Sequence, residues 1–100
     1  MGVQITGIGM NLPSKFMTNS DFEKILDTSD QWITERTGIK VRYFSDKDQA
    51  ASDLAYPACL EAIEKARISK DSIDLILVAT VTPDYLFPTT ACILQNKLGL

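Results

Sequence analysis

The residues best suited to binding chemistry in this sequence are a tryptophan and an arginine four positions apart, in the stretch DTSDQWITERTGI. Residues four apart share one side of an α-helix, so Trp32 and Arg36 are expected to lie together. An indole can stack on a flat base, and a guanidinium binds phosphate in a forked geometry. The pair is therefore a candidate clamp for a flat, phosphorylated ligand, although an ordinary half-buried stack would show the same spacing.

A short helix is predicted to position this pair. Thr28 and Gln31 match the capping-box pattern of a helix start. Arg36 has the charge that the helix dipole favours in a last turn, and Gly38 suits a left-handed stop. Ile33 is left to face the interior.

The sequence lacks the usual partners of a nucleophile. It contains two cysteines and no histidine among its 100 residues, so no thiol–imidazole pair can form within it. Cys92 falls near a predicted helix start, where a thiolate is stabilised, but its helical phase and apolar neighbours predict a buried, inert thiol. Cys59 is a weaker candidate still. The cysteine spacing does not match a metal site, so the sequence predicts no metal ligand. Without a histidine beside either thiol, it predicts no catalytic residue.

Composition and charge exclude several classes of protein. Apolar residues make up 45% and charged residues 23%, which predicts a folded globular chain. The 10 basic and 13 acidic residues are interspersed, with a net charge of −3, so no basic stripe is available for nucleic acid. There is no secretion-signal pattern, and no apolar run approaches the roughly 20 residues that cross a bilayer. These features predict a cytoplasmic protein without nucleic-acid or membrane partners.

The remaining pattern mixes strands and helices. Strands are predicted over residues 3–13, 39–44 and 73–80, and helices over residues 18–27, 52–66 and 89–99. The helix within 18–27 has Ser20 and Glu23 in a capping-box relation. The apolar run 73–80 is typical of a strand buried on both faces, which requires neighbouring strands that this chain does not supply. We therefore expect these residues to be the amino-terminal part of a longer protein.

Several stretches resemble the 3-oxoacyl-[acyl-carrier-protein] synthase III family. They are GIGMNLP, TNSDFEKILDTSDQWITERTGIKVRYF, DLILVATVTPDYLFPTTACILQNKLGL and the helix between them. The resemblance covers essentially the whole chain, and DTSDQWITERTGI and FPTTACILQNKLG are its most specific parts. It implies an α/β, thiolase-like fold with layered αβαβα architecture, of which residues 1–100 would be the amino-terminal segment of the first half.

The resemblance also implies an activity. The family initiates bacterial type II fatty-acid synthesis by a decarboxylative condensation, in which acetyl-coenzyme A (acetyl-CoA) and malonyl-acyl carrier protein give acetoacetyl-acyl carrier protein, CO2 and CoA. It implies no permanently bound cofactor, acyl-CoA as substrate, acyl carrier protein as partner, and a homodimer. The reactive cysteine, histidine and asparagine of the family match no position within residues 1–100.

Four site residues are implied in the same way. Positions matching Thr28, Trp32 and Arg36 line the mouth of the family's CoA tunnel, where the adenine stacks on the indole. Phe87 matches a position that crosses the dimer interface and closes the partner's primer pocket; the alternative is a plain core phenylalanine. Two other functions stay open: a related condensing enzyme of secondary metabolism with another acyl primer, and a noncatalytic CoA-binding or interaction module.

Overall fold

The structure is a computed structural model and describes residues 2–100. It divides into two compact units, one formed by Leu12–Asp48 and the other by the residues through Asn11 together with Gln49–Leu100. Helices and strands occur together in the chain, which confirms the predicted α/β class.

The unit Leu12–Asp48 contains two strands and two helices. In chain order these are β1 (Lys15–Thr18), α1 (Asn19–Glu23), α2 (Asp30–Thr37) and β2 (Val41–Phe44). The two strands pair antiparallel, so the chain leaves β1, forms both helices and returns beside β1. The second predicted strand, 39–44, is confirmed over its last four residues.

Helix α2 begins one residue later than the capping pattern predicted. Its N-cap is Ser29, whose hydroxyl accepts a hydrogen bond from the Trp32 backbone N–H at 3.1 Å. The Gln31 side chain bonds to Glu35 instead of reaching back. Thr28 as N-cap was therefore wrong, because two adjacent hydroxyl residues precede the helix and only the backbone conformation selects between them.

The rest of the α2 prediction is confirmed. Asp30 lies in the first turn and Arg36 in the last. Gly38 ends the helix in the left-handed conformation, at φ 70°, and its N–H donates to the Thr34 carbonyl at 2.8 Å. Ile33 is buried, with 6% of its surface exposed, and anchors the helix in its unit.

Helix α1 also differs from its prediction. Its capping box joins Thr18 and Asp21, not Ser20 and Glu23, and the helix ends at Glu23. The hydrogen bonds from the Thr18 hydroxyl and backbone N–H, with a smaller effect of Lys24, lower the pKa of Asp21 to about 2. Ser20 and Glu23 match the sequence rule with its Glu, whereas the observed box uses the shorter Asp21 because β1 ends at Thr18 and the helix starts directly after it.

The second unit contains the helices predicted over residues 52–66 and 89–99. Helix α3 (Ala51–Ala66) includes Pro57, and α4 (Thr90–Leu98) starts after the capping residue Thr89 and ends at Gly99, which has φ 71°. A 3₁₀ turn, Lys70–Ser72, lies between them. Leu94 and Leu98 on α4 form the apolar core of this unit, with 2% and 4% of their surfaces exposed.

The amino-terminal segment packs closely on the alanine-rich face of α3. A side chain built on Gly9 would overlap the carbonyl oxygen of Ala58, and one built on Gly7 would overlap that of Ala62. The Asn11 amide also donates to the Leu54 carbonyl at 3.2 Å. The glycines of the segment and the small residues of α3 therefore allow the two backbones to approach closely.

Two predicted strands do not form among residues 2–100. Residues 3–13 and 73–80 have no paired strand there, and the one ladder joins β1 and β2. Among these residues Leu75 and Leu77 are 72% and 85% exposed, because the neighbouring strands that the predicted burial requires are not supplied by residues 2–100. A strand is defined by its partner's backbone, so an apolar run without one stays unpaired.

Candidate functional site

Trp32 and Arg36 form the predicted stack on α2. The Arg36 Cζ atom lies 5.2 Å from the centroid of the indole ring. Such a contact at an exposed site contributes about 0.5–1 kcal/mol, too little to explain by itself why a tryptophan is placed there. The ring remains 53% exposed, so a flat ligand has access to it.

An open depression of about 470 Å³ lies beside the indole. We call it the Trp32 depression; its lining is Phe22, Leu26, Asp27, Thr28, Trp32, Ile33 and Arg42. A neighbouring depression of about 340 Å³ shares Asp27, Thr28 and Trp32 with it. The structure thus brings Thr28 and Trp32 to one surface, while Arg36 contacts the ring without lining either depression.

Arg42 and Phe22 both line the Trp32 depression but were not among the site residues predicted from the sequence. The guanidinium of Arg42 lies 5.1 Å from the centroid of the Phe22 ring, and its Nη1 donates to Asn19 Oδ1 at 2.9 Å. Arg42 is the half-buried residue of β2, whose other residues are exposed. The position of Arg42 on the inward side of a predicted strand could have indicated it as a site residue. Its proximity to Phe22 could not be predicted from the sequence, because it depends on the pairing of β2 with β1.

Phe87 lies in the loop that precedes α4, and its side chain is 87% exposed. It therefore does not occupy the core of the described chain. The same loop is held by Asp84, whose Oδ1 accepts from the Ser52 backbone N–H at 3.0 Å and from the Thr90 hydroxyl at 3.3 Å. Burial raises the pKa of Asp84, but the hydrogen bonds from Ser52 and Thr90 outweigh this effect and leave it below its ordinary value.

The prediction that Cys92 is buried is wrong, because Cys92 is exposed. Thr90, Leu94 and Leu98 define the buried face of α4, and a residue two positions from Thr90 falls on the other side. The Thr89 hydroxyl lies 3.3 Å from the Cys92 sulfur. Cys59 is half-buried on α3, and this burial raises the pKa of its thiol.

If the full-length gene product transfers acyl groups, as the resemblance implies, we expect that replacing Cys92 by Ala leaves this transfer within about threefold. The substitution keeps the Thr89 cap on the Cys92 backbone N–H and removes a thiol that has no imidazole partner in the 100-residue sequence. Steady-state rates of acyl transfer check this, with Cys59→Ala as the matched cysteine variant. Loss of transfer in a folded Cys92→Ala protein would make Cys92 the nucleophile.

The described residues show neither a metal centre nor a membrane span. Within residues 2–100, no group of three or more histidine, cysteine, aspartate or glutamate side chains could hold a metal ion. In the same residues, no helix combines the length and apolar character needed to cross a bilayer. The Trp32 depression, with its exposed indole backed by a guanidinium, is the candidate ligand site at the position that the sequence predicted.

Comparison with known proteins shows which proteins the chain is similar to. No protein-family model matches it. The beta-ketoacyl-[acyl-carrier-protein] synthase III of Fusobacterium nucleatum is 56% identical over 98 residues, which is 98% of this chain and 30% of the relative. The chain thus spans about 30% of the length of the curated relatives it matches.

Solved structures show the same similarity. The crystal structure of 3-oxoacyl-[acyl-carrier-protein] synthase III from Aquifex aeolicus is 46% identical, with a TM-score of 0.88 over 98% of this chain and 32% of that chain. A priming β-ketosynthase from a polyketide biosynthetic pathway is 27% identical, with a TM-score of 0.86 over 96% of this chain and 29% of that chain. The thiolase-like fold class is thereby confirmed. Over nearly all of its residues, the chain is thus similar to proteins named beta-ketoacyl-[acyl-carrier-protein] synthase III, at 52–56% identity to curated relatives.

Proposed function

We propose that this chain forms part of an enzyme that initiates fatty-acid synthesis by decarboxylative condensation. The reaction joins acetyl-CoA and malonyl-acyl carrier protein into acetoacetyl-acyl carrier protein, with release of CO2 and CoA. The identity of 56% to a curated synthase III supports this activity. The acyl carrier protein is then the partner, acetyl-CoA is a substrate and not a resident cofactor, and the cytoplasm is the site of action.

One observation carries the role of this chain: an exposed indole backed by a guanidinium at the edge of the Trp32 depression. We propose that Thr28, Trp32 and Arg36 form the mouth at which CoA binds. The adenine of CoA is flat and would stack on the free face of Trp32, a contact worth about 1–3 kcal/mol. The phosphates of CoA are anionic and would meet the guanidinium of Arg36.

Phe87 has a separate proposed role at a dimer surface. Its ring is 87% exposed and the adjacent Leu86 is 97% exposed, which is costly for two large apolar side chains in water. Covering them with a second copy of the enzyme would remove that cost. We propose that Phe87 crosses this interface and closes the primer pocket of the partner subunit.

The chemical step itself requires residues outside this chain. The 100 residues contain no histidine, so the base that would activate a nucleophilic thiol must come from elsewhere in the enzyme. The proposed contribution of residues 1–100 is therefore substrate capture and assembly.

The direct test is a condensation assay on the full-length gene product. We expect acetoacetyl-acyl carrier protein to form from acetyl-CoA and malonyl-acyl carrier protein, with one CO2 released per product. Omitting malonyl-acyl carrier protein should abolish product, because the carbon nucleophile comes from its decarboxylation. CoA binding without condensation would instead support a noncatalytic CoA-binding module.

A second candidate is a condensing enzyme of secondary metabolism with another acyl primer. The structural match to a priming β-ketosynthase of a polyketide pathway favours it, although the identity of 27% is lower than for the synthase III relatives. Competition between acetyl-CoA and longer or branched acyl-CoA primers separates the two functions. Preference for acetyl-CoA supports the first, and preference for a longer primer supports the second.

A further inference from the structure

A single buried carboxamide joins several parts of the unit Leu12–Asp48. Asn19 is the first residue of α1, and only 1% of its surface is exposed. Its Nδ2 donates to Asp30 Oδ1 and to the Ile39 carbonyl, each at 2.8 Å, and lies 3.3 Å from the Thr34 hydroxyl. Its Oδ1 accepts from Arg42 Nη1 at 2.9 Å.

These contacts reach both ends of α2. Asp30 is the first residue of that helix, two positions before Trp32, and Ile39 directly follows the residue that caps its other end. One amide group therefore joins the first residue of the helix to the chain that leaves its last turn. Because α2 has only eight residues, constraining both ends constrains the position of the Trp32 ring.

The carbonyl oxygen of the same amide accepts a hydrogen bond from a second residue that lines the Trp32 depression, Arg42. Arg42 lines that depression and packs over the Phe22 ring. Its bond to Asn19 Oδ1 orients the guanidinium from within the unit. The amide thus connects the helix that carries the indole to the arginine on β2.

We propose that Asn19 is a positioning residue for the CoA mouth: it sets the Trp32 helix and Arg42 in one fixed arrangement without touching the ligand. This inference rests on the proposed function, since it assumes that CoA binds at Trp32. The inference predicts that loss of the Asn19 amide weakens CoA binding by more than the accompanying loss of protein stability can explain.

The chemistry of the site requires an amide at this position. Asn19 donates two hydrogen bonds and accepts one within the same buried space, and a carboxamide alone among side chains of this length offers both functions. An aspartate would place a second carboxylate against Asp30. An alanine would leave the Ile39 carbonyl and one Arg42 N–H without their partner in a buried space.

The test measures CoA affinity and kinetics in the full-length gene product, well below its melting temperature. We expect Asn19→Ala to raise the dissociation constant for CoA and the KM for acyl-CoA about tenfold, with kcat changed less than about twofold. The matched control is Asn11→Ala, which removes an amide that donates to the Leu54 carbonyl at 3.2 Å in the other unit. It should lower the melting temperature without weakening CoA binding.

A second pair of variants keeps the test decisive if Asn19→Ala fails to fold. Asp30 is exposed, so both of its variants should be tolerated. Asp30→Ala removes the acceptor of the Asn19 amide, whereas Asp30→Asn retains an oxygen there. We expect CoA to bind at least about threefold more weakly to Asp30→Ala than to Asp30→Asn. The indole N–H signal of Trp32, assigned by its loss in Trp32→Phe, should shift in Asp30→Ala.

The possible failures are distinguishable. Unchanged CoA affinity in Asn19→Ala, or equal affinity of the two Asp30 variants, would overturn the positioning role while Trp32→Ala still weakens binding. Unchanged affinity in Trp32→Ala would instead overturn the proposed mouth itself. A melting temperature that falls in Asn19→Ala while affinity and KM stay constant would reduce the residue to a purely structural role.

Discussion

Replacing Trp32 by Ala in the full-length gene product is expected to raise the KM for acyl-CoA about 10- to 100-fold while kcat falls by less than about threefold. Stacking of a base on an aromatic ring contributes about 1–3 kcal/mol, and each 1.4 kcal/mol corresponds to about tenfold in affinity. The adenine of CoA is remote from the thioester. Its proposed contact with the indole would therefore be the same in the ground state and the transition state, so that its loss should change KM and not kcat.

The matched control for this substitution is Phe16→Ala. Phe16 lies in the same unit and is 56% exposed, close to the 53% of Trp32, but it packs against Tyr43 and does not line the Trp32 depression. Phe16→Ala should leave the KM for acyl-CoA unchanged. Steady-state kinetics with acyl-CoA varied at saturating malonyl-acyl carrier protein provide both constants. An unchanged KM with a reduced kcat in Trp32→Ala would contradict the assignment of Trp32 to CoA binding.

Local signals account for what the sequence predicted correctly around this site. The Trp32–Arg36 stack follows from the four-residue spacing of one helix, and the left-handed Gly38 follows from its position after the last turn. Gly99 ends α4 for the same reason. Each of these features depends on residues within a few positions of one another, so one sequence contains enough information to predict them.

The failures arise where distant residues decide the outcome. The strand predicted over 3–13 requires a partner backbone, and none of residues 2–100 supplies it. Asn19 bonds to Arg42 across 23 positions, and no periodicity links the two. Cys92 is an error of another kind: its helical phase and apolar neighbours both predicted burial, but Thr90, Leu94 and Leu98 form the buried face of α4 and leave Cys92 exposed.

The second large effect concerns the packing of the amino-terminal segment on α3. We expect Gly9→Ala to lower the free energy of unfolding by about 3 kcal/mol, at the upper end of the cost of overpacking a well-packed site. The added methyl group would overlap the Ala58 carbonyl oxygen and lie 2.8 Å from the Ala62 backbone nitrogen. Both are main-chain atoms of a helix and cannot move aside as a flexible side chain could, so the segment or α3 must shift.

Gly2→Ala is the matched control for this effect, because a side chain at Gly2 would meet nothing within 4 Å. It makes the same chemical change near the same end of the chain and should leave stability within about 0.5 kcal/mol. Urea unfolding of the full-length gene product, followed by circular dichroism, compares the two variants. Equal stability of Gly9→Ala and Gly2→Ala would mean that the segment does not contact α3 so closely. A loss confined to Gly9→Ala would show that the alanine face of α3 accepts a backbone and excludes a side chain, which explains why glycine occupies that position.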